Sequence, residues 1–373
     1  MSDHDSDFAS VPELLSQLRD GRMIILVDDE DRENEGDLVV AAERISVEQI
    51  VQMNRLASGI ITVPMPRPWL RRLHIDPMVQ ENAESMSTAF TVTVDASSGI
   101  STGSSAHDRA TTIRKLADPT TSAEDFVRPG HINPLVVREG GVLKRPGHTE
   151  ASHDLVRMAG LQPVAVLCEI MGDDGTMLRL PALRELAARL ELPLGTIADV
   201  IRHRRRTEAL VERVSSQELS SAFGPLQVHR YRSAVDAGRY TALVRGPLHP
   251  QQPTLVRIHA ATLVDDLLGL LTGGPAGDLQ LAMHRIAAEG GVLLLVERPA
   301  AVVGSADDRD YGIGAQVLAE LGVRRLRLMT DHPRKRAGLH GFDLEVVEHV
   351  PLRGNPIGGS SNVVALSSAS KGG

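Results

Sequence analysis

The sequence contains very few cysteines and aromatic residues. Of its 373 residues, one is a cysteine, Cys168, and the aromatic residues are one Trp, three Tyr and five Phe. Disulfide frameworks and cysteine-based zinc sites need more than one thiol, so we expect neither, and we expect a reducing compartment. The net charge is −8, with 40 basic and 48 acidic residues. Because nucleic-acid-binding proteins usually present a basic face and stacking aromatics, we expect no nucleic-acid partner.

Long apolar runs are also absent from the sequence. None approaches the roughly 18 residues that a membrane-spanning helix requires. The first ten residues, MSDHDSDFAS, are acidic and polar, which is the wrong composition for a signal or transit peptide. These observations predict a soluble, cytoplasmic protein without a membrane partner.

Strand and helix patterns alternate along the first half of the chain. Short β-rich runs at 23–27, 37–43, 90–96 and 163–171 predict strands, and 132–141 predicts a strand followed by a glycine turn. Segments with helical spacing lie between these runs. The alternation predicts a layered α/β or α+β domain.

A basic run, RHRRR at 202–206, marks the expected domain boundary, because a new strand-rich pattern begins at 224–233. The C-terminal tail is rich in Gly and Ser, which predicts disorder. We therefore predict one domain at 1–206, a second at 207–356 and a disordered tail at 357–373.

The first predicted strand is followed by an acidic stretch, DDEDRENEGD at 28–37, with seven carboxylates. Such charge runs are often only solvated turns. However, loops after buried strands often carry active-site groups, and the two-residue spacing of Glu33, Glu35 and Asp37 would point them to one side of an extended segment. Converging carboxylates repel unless a cation or a substrate proton lies among them, and Mg²⁺ prefers oxygen ligands. Both interpretations, a solvated turn and a cation site, remain open at this point.

A second candidate site lies just before a predicted helix, in KRPGHTEASHDLVRMAG at 144–160. Arg145, Gly147, His148 and Thr149 place a guanidinium, a flexible backbone, an imidazole and a hydroxyl at a helix N-terminus, which is a favourable phosphate site. The alternative interpretation is an ordinary helix start with an incidental histidine.

Two further residues attract attention. His131 lies in RPGHINP, a second Arg-Pro-Gly-His stretch, although a lone histidine is more often a packed or surface residue. Glu169 ends an apolar strand, where a carboxylate is either structurally paired or held in a site with a shifted pKa.

Several motifs, taken together, resemble the 3,4-dihydroxy-2-butanone 4-phosphate synthase family. They are DDEDRENEGDL, FTVTVDA, DRATTI, RPGHINPL, GGVLKRPGHTEAS and LCEIMGDDGTM, and they follow the family's order within residues 8–206. The resemblance implies a lyase of riboflavin biosynthesis that converts D-ribulose 5-phosphate to L-3,4-dihydroxy-2-butanone 4-phosphate and formate. It also implies a three-layer α/β (α+β) sandwich, a sugar phosphate substrate, a homodimer, and Mg²⁺ or Mn²⁺ as the cofactor.

The resemblance assigns roles to the candidate residues. It implies that Glu33 and His148 are the metal ligands. The predicted substrate-binding residues are Arg32, Glu33, Asp37, Arg145, Gly147, Thr149 and Glu169. The predicted catalytic residues are His131, Glu169, Asp37 and Glu35. One departure is visible, because Thr62 stands near the place where many members carry a cysteine.

Residues 207 to about 353 resemble GTP cyclohydrolase II, which implies a smaller α+β domain. The family holds zinc with three cysteines, and the corresponding positions here are Thr262, Gly273 and Pro275. None of these residues supplies a thiolate, so we expect no zinc and no cyclohydrolase activity. Phosphate or nucleotide binding is left open for Arg309, Thr330 and Lys335.

Two other functions are compatible with parts of the sequence. A bifunctional enzyme with cyclohydrolase activity is opposed by the missing cysteines. A non-catalytic regulator or scaffold, in which both domains have decayed, is opposed by the intact candidate residues Glu33, Asp37, His131, His148 and Glu169.

Overall fold

The computed structural model describes residues 8–86, 88–235, 238–260, 277–297, 308–331 and 344–352. The chain divides into an N-terminal unit, residues 1–212 with 233–237, and a C-terminal unit, residues 213–232 with 238–373. The tail predicted to be disordered, 357–373, lies outside the described residues. None of the helices in the described ranges combines the length and apolar character that a bilayer crossing demands.

The N-terminal unit is built on one mixed sheet, whose described strands run in the order β4-β5-β3-β6-β2-β1-β7. The strands are β1 Ile24–Val27, β2 Gly36–Ala41, β3 Thr62–Pro66, β4 Val94–Ala96, β5 Phe126–Val137, β6 Ala165–Glu169 and β7 Leu194–Thr196. The helices are α1 Val11–Arg19, α2 Val47–Gln52, α3 Arg67–Arg72, α4 Ala106–Ala117, α5 His148–Met158, α6 Leu180–Leu190 and α7 Ile197–Thr207.

Helices cover both faces of this sheet, which gives the predicted three-layer sandwich. Side chains alternate along each strand, so Ile25 and Val40 face one layer, where they join the core formed with helices such as α2, α4 and α6. Leu26 and Asp37 face the other layer, where α5 packs across β2, β3 and β6. The predicted site lies on this second face.

The acidic stretch connects two paired strands, as the sequence suggested. β1 and β2 are antiparallel, with Leu26 opposite Asp37 and Val27 opposite Gly36. The acidic loop therefore closes one end of the β1–β2 hairpin.

Two predicted strands differ from the structure. The strand predicted at 90–96 is regular only at Val94–Ala96, and the strand predicted from residue 132 begins earlier, at Phe126. Residues 90–93 pair with their neighbours only at single positions: the Thr91 hydroxyl and backbone N–H both donate to the Pro134 carbonyl, at 2.9 and 3.1 Å, and the Val92 N–H donates to the Asp76 carbonyl.

The C-terminal unit contains a second mixed sheet, with described strands in the order β14-β13-β11-β12-β10-β9-β8. The strands are β8 Val211–Ser221, β9 Gly224–Ser233, β10 Arg239–Arg245, β11 Pro253–Ala260, β12 Gly291–Glu297, β13 Arg325–Met329 and β14 Glu345–Val350, and the described helices are α8 Asp278–Glu289 and α9 Asp308–Glu320. The strand-rich pattern was predicted to begin at 224, which is wrong, because β8 precedes it. β8 is mostly exposed on both faces and therefore shows no hydrophobic alternation.

Candidate active site

The acidic loop is organised by its first carboxylate, Asp28. Asp28 accepts hydrogen bonds from the Glu33 and Glu35 backbone N–H groups, at 3.1 and 2.8 Å, and from the Arg32 guanidinium at 2.9 Å. The Arg179 guanidinium binds the loop from outside, donating to the Glu33 carbonyl at 2.8 Å. These contacts fix the loop, so it is not simply a solvated turn.

Strand pairing brings two further carboxylates to the same face. Asp37 on β2 lies directly opposite Glu169 on β6, and Leu167 on β6 lies opposite Thr62 on β3. Asp37 is 2% exposed, and among the described residues its Oδ1 atom has no hydrogen-bond partner. The Glu169 carboxylate accepts from the Ile60 N–H at 2.8 Å. A buried carboxylate oxygen without a hydrogen-bond partner is costly, so Asp37 Oδ1 is a candidate position for a ligand contact.

The first residue of α5, His148, faces these carboxylates. Its Nε2 atom lies 3.1 Å from the Leu26 carbonyl and 4.0 Å from Asp37 Oδ1, and its Nδ1 atom lies 3.8 Å from Glu33 Oε2. Ligand atoms of Asp28, Glu33 and His148 all lie within 4.8 Å of one another. An imidazole beside carboxylate oxygens is a donor set that fits a divalent cation, so Glu33 and His148 are suited to hold one.

Burial and charge shift the pKa values of this cluster in opposite directions. Burial raises the pKa of Asp37 to about 7, helped by the charges of Glu169, Glu35 and Glu33, although His148 opposes the shift. Burial alone would lower the pKa of His148, but the surrounding carboxylates outweigh it and raise that pKa to about 9. Burial and the neighbouring Glu33 raise the pKa of Glu35.

The pKa of Glu33 moves the other way. Burial alone would raise it, but the hydrogen bond from His148 and the charge of Arg32 outweigh burial and lower it. Glu33 therefore stays ionised near neutral pH, which suits a metal ligand, whereas Asp37 exchanges a proton there, which suits proton transfer.

The other end of the site carries two guanidinium groups beside the start of α5. Arg145 donates to Glu150 at 2.6 Å, to the Thr88 hydroxyl at 2.8 Å and to the Met86 carbonyl at 2.9 Å. A Cβ atom on Gly147 would lie 2.4 Å from Arg145 Nη1 and 3.0 Å from Arg32 Nη2, so only glycine leaves room for both.

Gly147 is also the N-cap of α5, and it leaves the first helical N–H groups without a side-chain cap. Helix N–H groups beside two arginines are suited to bind an anion.

A cavity of about 260 Å³ joins the two ends. It is lined by the predicted residues Arg32, Glu33, Glu35, Asp37, Arg145, His148, Thr149 and Glu169, and also by Thr62, Glu84, Thr88, Phe90, Leu135 and Leu167. The three carboxylates of the acidic loop that were expected to converge therefore face one space.

His131 is the predicted catalytic residue that does not line this cavity. It lies on β5, separated from Glu169 on β6 by β3, which is about 10 Å across the sheet. Its Nδ1 atom donates to the buried carboxylate of Asp95 at 2.6 Å, and its backbone N–H donates to the same carboxylate at 2.9 Å. The ring is half exposed, so its other nitrogen faces outward.

Sequence reasoning did not single out Asp28, Asp95 or Thr88. Asp28 was counted only as one of seven charges, and the alternation of FTVTVDA indicated a strand without a role for Asp95. The signal that was available for Asp28 is its position directly after a buried strand, from which a carboxylate can accept N–H groups of the following turn.

The candidate positions in the second half of the chain are mostly beyond description. Thr262, Gly273, Pro275 and Lys335 lie outside the described residues, and so does the side chain of Arg309. The Thr330 backbone N–H is bonded to the Val350 carbonyl at 2.9 Å, at the end of the second sheet.

Comparison with known proteins agrees with this geometry. Residues 12–203 match the family model of 3,4-dihydroxy-2-butanone 4-phosphate synthase. The chain belongs to that family. Its N-terminal unit is a synthase domain of riboflavin biosynthesis, a metal-binding lyase. Residues 212–302 and 296–351 match the family model of GTP cyclohydrolase II.

The relatives of this synthase include proteins named bifunctional and one named monofunctional. It is 44% identical over 379 residues to riboflavin biosynthesis protein RibBA of Salinispora arenicola, covering 94% of this chain and 90% of the relative. It is 46% identical over 375 residues to the bifunctional riboflavin biosynthesis protein RIBA 1 of Arabidopsis thaliana, covering 92% and 69%. It is 44% identical over 373 residues to the monofunctional riboflavin biosynthesis protein RIBA 2 of the same plant, covering 94% and 78%.

Two solved structures resemble this synthase. RibBX from A. baumannii, a two-domain 3,4-dihydroxy-2-butanone 4-phosphate synthase, has a TM-score of 0.76 and 37% identity, covering 91% of this chain and 99% of that chain. A 3,4-dihydroxy-2-butanone 4-phosphate synthase in complex with two magnesium ions has a TM-score of 0.52 and 40% identity, covering 54% and 98%.

Proposed function

We propose that the N-terminal unit converts D-ribulose 5-phosphate to L-3,4-dihydroxy-2-butanone 4-phosphate and formate. The observation that carries this proposal is a single cavity lined by carboxylates and His148 and also by Arg32, Arg145 and Thr149. A ketose phosphate offers matching groups, with oxygens for a cation at one end and a phosphate for the guanidinium groups at the other.

The carboxylates supply proton transfer. The reaction removes a proton from C1 next to the ketone, expels water, rearranges the carbon skeleton and releases C4 as formate, so protons must be taken up and returned more than once. Asp37, whose pKa is raised to about 7, accepts and returns protons near neutral pH. Glu169 and Glu35 face the same cavity and complete the group of proton carriers.

The phosphate is held by charge and by N–H groups. The Arg32 and Arg145 guanidinium groups lie beside Gly147, and the start of α5 adds backbone donors and the Thr149 hydroxyl. Holding the non-reacting end of the substrate fixes the distance of its other carbons from the carboxylates.

Glu33 and His148 hold Mg²⁺ or Mn²⁺ in this proposal. When bound, such a cation acts as a Lewis acid that stabilises negative charge on adjacent substrate oxygens. The solved synthase with two magnesium ions supports a divalent metal for the family.

His131 acts from outside the cavity lining in this proposal. Its Nδ1–H is held in a hydrogen bond to Asp95, so the outward Nε2 atom is the one left to exchange a proton. His131→Asn should then lower the maximal rate while inorganic phosphate binding stays unchanged, since the phosphate end of the cavity lies elsewhere.

The experiment that tests the proposed reaction is an assay of purified protein with D-ribulose 5-phosphate and Mg²⁺, followed for formate. Stoichiometric formate and a four-carbon phosphate product are expected, and both should disappear with excess chelator. Protein that binds ribulose 5-phosphate but never releases formate would instead support the non-catalytic regulator.

We infer that the C-terminal unit has no GTP cyclohydrolase II activity. The sole cysteine, Cys168, lies on β6 of the N-terminal unit and is fully buried, so no thiolate is left for a zinc site in the second half. A relative named monofunctional and the two-domain synthase RibBX support this inference. Relatives named bifunctional make cyclohydrolase activity the alternative.

We also propose that the chain works as a homodimer. Among the described residues, the large hydrophobic side chains that are exposed on the N-terminal unit are Ile60, Met78, Val79, Met86 and Val127. Met78 and Val79 are consecutive, and adjacent exposed apolar side chains favour burial against a partner. Sedimentation equilibrium should give twice the chain mass, and replacement of Val79 and Val127 by Ser should shift the equilibrium towards the monomer.

A further inference from the structure

Arg204 belongs to the basic run that the sequence offered only as a domain boundary, yet it is 6% exposed. Its Nη1 atom donates to Asp154 on α5 at 2.6 Å and to the Gly140 carbonyl at 2.9 Å. Its other nitrogens donate to Glu208 at 2.8 and 2.6 Å. A buried guanidinium whose three nitrogens all donate hydrogen bonds holds the acceptor groups in place.

Arg204 and Asp154 both form hydrogen bonds with the turn before α5. Asp154 Oδ2 accepts from the Val142 N–H at 2.8 Å, in addition to Arg204. Gly141 has a φ of +61°, and a Cβ atom there would lie 2.3 Å from the Asp154 carboxylate. The turn is therefore pressed against Asp154 and leaves no room for a side chain.

A second carboxylate holds the two ends of the same segment. Glu150, one helical turn before Asp154, accepts from the Arg138 N–H at 3.2 Å and from Arg145 Nη1 at 2.6 Å. Residues four apart lie on the same face of a helix, so Glu150 and Asp154 form a row along α5. Arg204 binds Asp154 at one end of this row. Arg145 binds Glu150 at the other end and also lines the cavity.

We propose that Arg204 is a positioning residue for the phosphate end of the active site, acting through Asp154 and the turn at 138–145 on Arg145. This inference rests on the proposed function, because it takes Arg145 as the phosphate-binding group. Arg204 does not line the cavity, so its removal changes where Arg145 is held and leaves the proton-transfer carboxylates in place.

The test measures steady-state kinetics and inorganic phosphate binding of the full chain. Arg204→Met should raise KM for ribulose 5-phosphate about tenfold, because a guanidinium displaced by part of an ångström binds its anion less well. kcat should stay within about threefold of the wild-type value. The dissociation constant for inorganic phosphate should rise in parallel with KM. Arg204→Lys, which keeps the charge and can reach Asp154 but lacks the fork, should give an intermediate result.

Two controls separate positioning from loss of stability. Arg202→Met removes an exposed arginine of the same run and should change neither constant. Leu116→Ala destabilises α4, away from the turn, and should lower Tm without raising KM. If Arg204→Met does not fold, Arg204→Lys and Asp154→Asn decide the question by the same measurements.

The proposal is overturned if these Arg204 and Asp154 variants lower Tm but keep wild-type KM and phosphate affinity, or if Leu116→Ala raises KM equally. Absence of formate release by the wild-type chain would overturn the proposed function instead. Phosphate binding by the variants would still decide the role of Arg204.

Discussion

Charged side chains are arranged differently in the two units. In the N-terminal unit, carboxylates face one another across a cavity, and Asp37 leaves a buried oxygen without a partner. In the described part of the C-terminal unit, several carboxylates form partly exposed pairs with arginines, such as Glu320 with Arg213 at 2.6 Å and Glu348 with Arg327 at 2.6 Å. A buried carboxylate oxygen without a hydrogen bond costs free energy unless a ligand compensates it, so the first arrangement favours a ligand site.

The histidines of the two units differ in the same way. Nearby carboxylates raise the pKa of His148 to about 9 against the effect of burial. Burial lowers the pKa of His229, and that ring bonds to the Ser216 hydroxyl at 2.8 Å. A histidine surrounded by carboxylates can take part in binding a cation. The His229 ring nitrogen already has a hydrogen-bond partner in the Ser216 hydroxyl.

The largest effect should follow removal of a proposed metal ligand. Glu33→Gln and His148→Asn should each reduce formate release at least about 100-fold at low Mg²⁺, because a site with few protein ligands holds its cation weakly after losing one. Glu30→Gln is the matched control, since it removes the same charge from an exposed position in the same loop. Near-wild-type turnover by either ligand variant would refute the assignment and weaken the contrast between the units.

Metal binding should depend strongly on pH. Because the pKa of His148 is raised to about 9 without metal, its proton must leave before the ring can bind a cation. Mg²⁺ affinity should therefore fall about tenfold for each unit of pH below 9, until the carboxylates also protonate. Calorimetry in buffers of different ionisation enthalpy should detect about one proton released per cation at pH 8. His131→Gln should release the same number, since His131 lies outside the cavity; release that disappears in this variant would place the metal elsewhere.

The N-terminal unit should work without the C-terminal unit, but the position of the cut should matter. Fragments 1–206 and 1–212 should both release formate. The shorter one lacks Glu208, which pairs with Arg204 and with Arg157, and also the buried Leu210. It should be less stable by about 1–3 kcal/mol in urea unfolding. Equal stability of the two fragments would show that these contacts contribute nothing, and inactivity of both would make the C-terminal unit a required support.

The smallest expected effect is the absence of any turnover with GTP. Full-length protein with GTP and added Zn²⁺ should release no formate or pyrophosphate above a control without protein, because zinc needs thiolates that the second half lacks. Cys168→Ser, which removes the buried thiol of the N-terminal unit, should give the same blank. Turnover that is lost on deleting residues 213–373 would show that the C-terminal unit is a second active site.

Local features of this protein were readable from the sequence because their causes are local. The β1–β2 hairpin follows from two apolar runs around a polar loop, and α5 follows from the helical spacing of EASHDLVRMAG, although it begins two residues before that run, at His148. Most of the predicted residues that line the cavity were already candidates from local patterns, and the resemblance added Arg32 and the proposed roles.

Contacts between distant segments were decided only by the tertiary structure. The pairing of Asp37 with Glu169 depends on the register of β2 and β6, and that of His148 with Leu26 joins positions 122 residues apart. Periodicity gives the direction of a side chain within its own strand or helix, but not which strand will be its neighbour. For the same reason the sequence showed Arg204 only as part of a basic run at a domain boundary, whereas packing of α7 against α5 buries it beside Asp154.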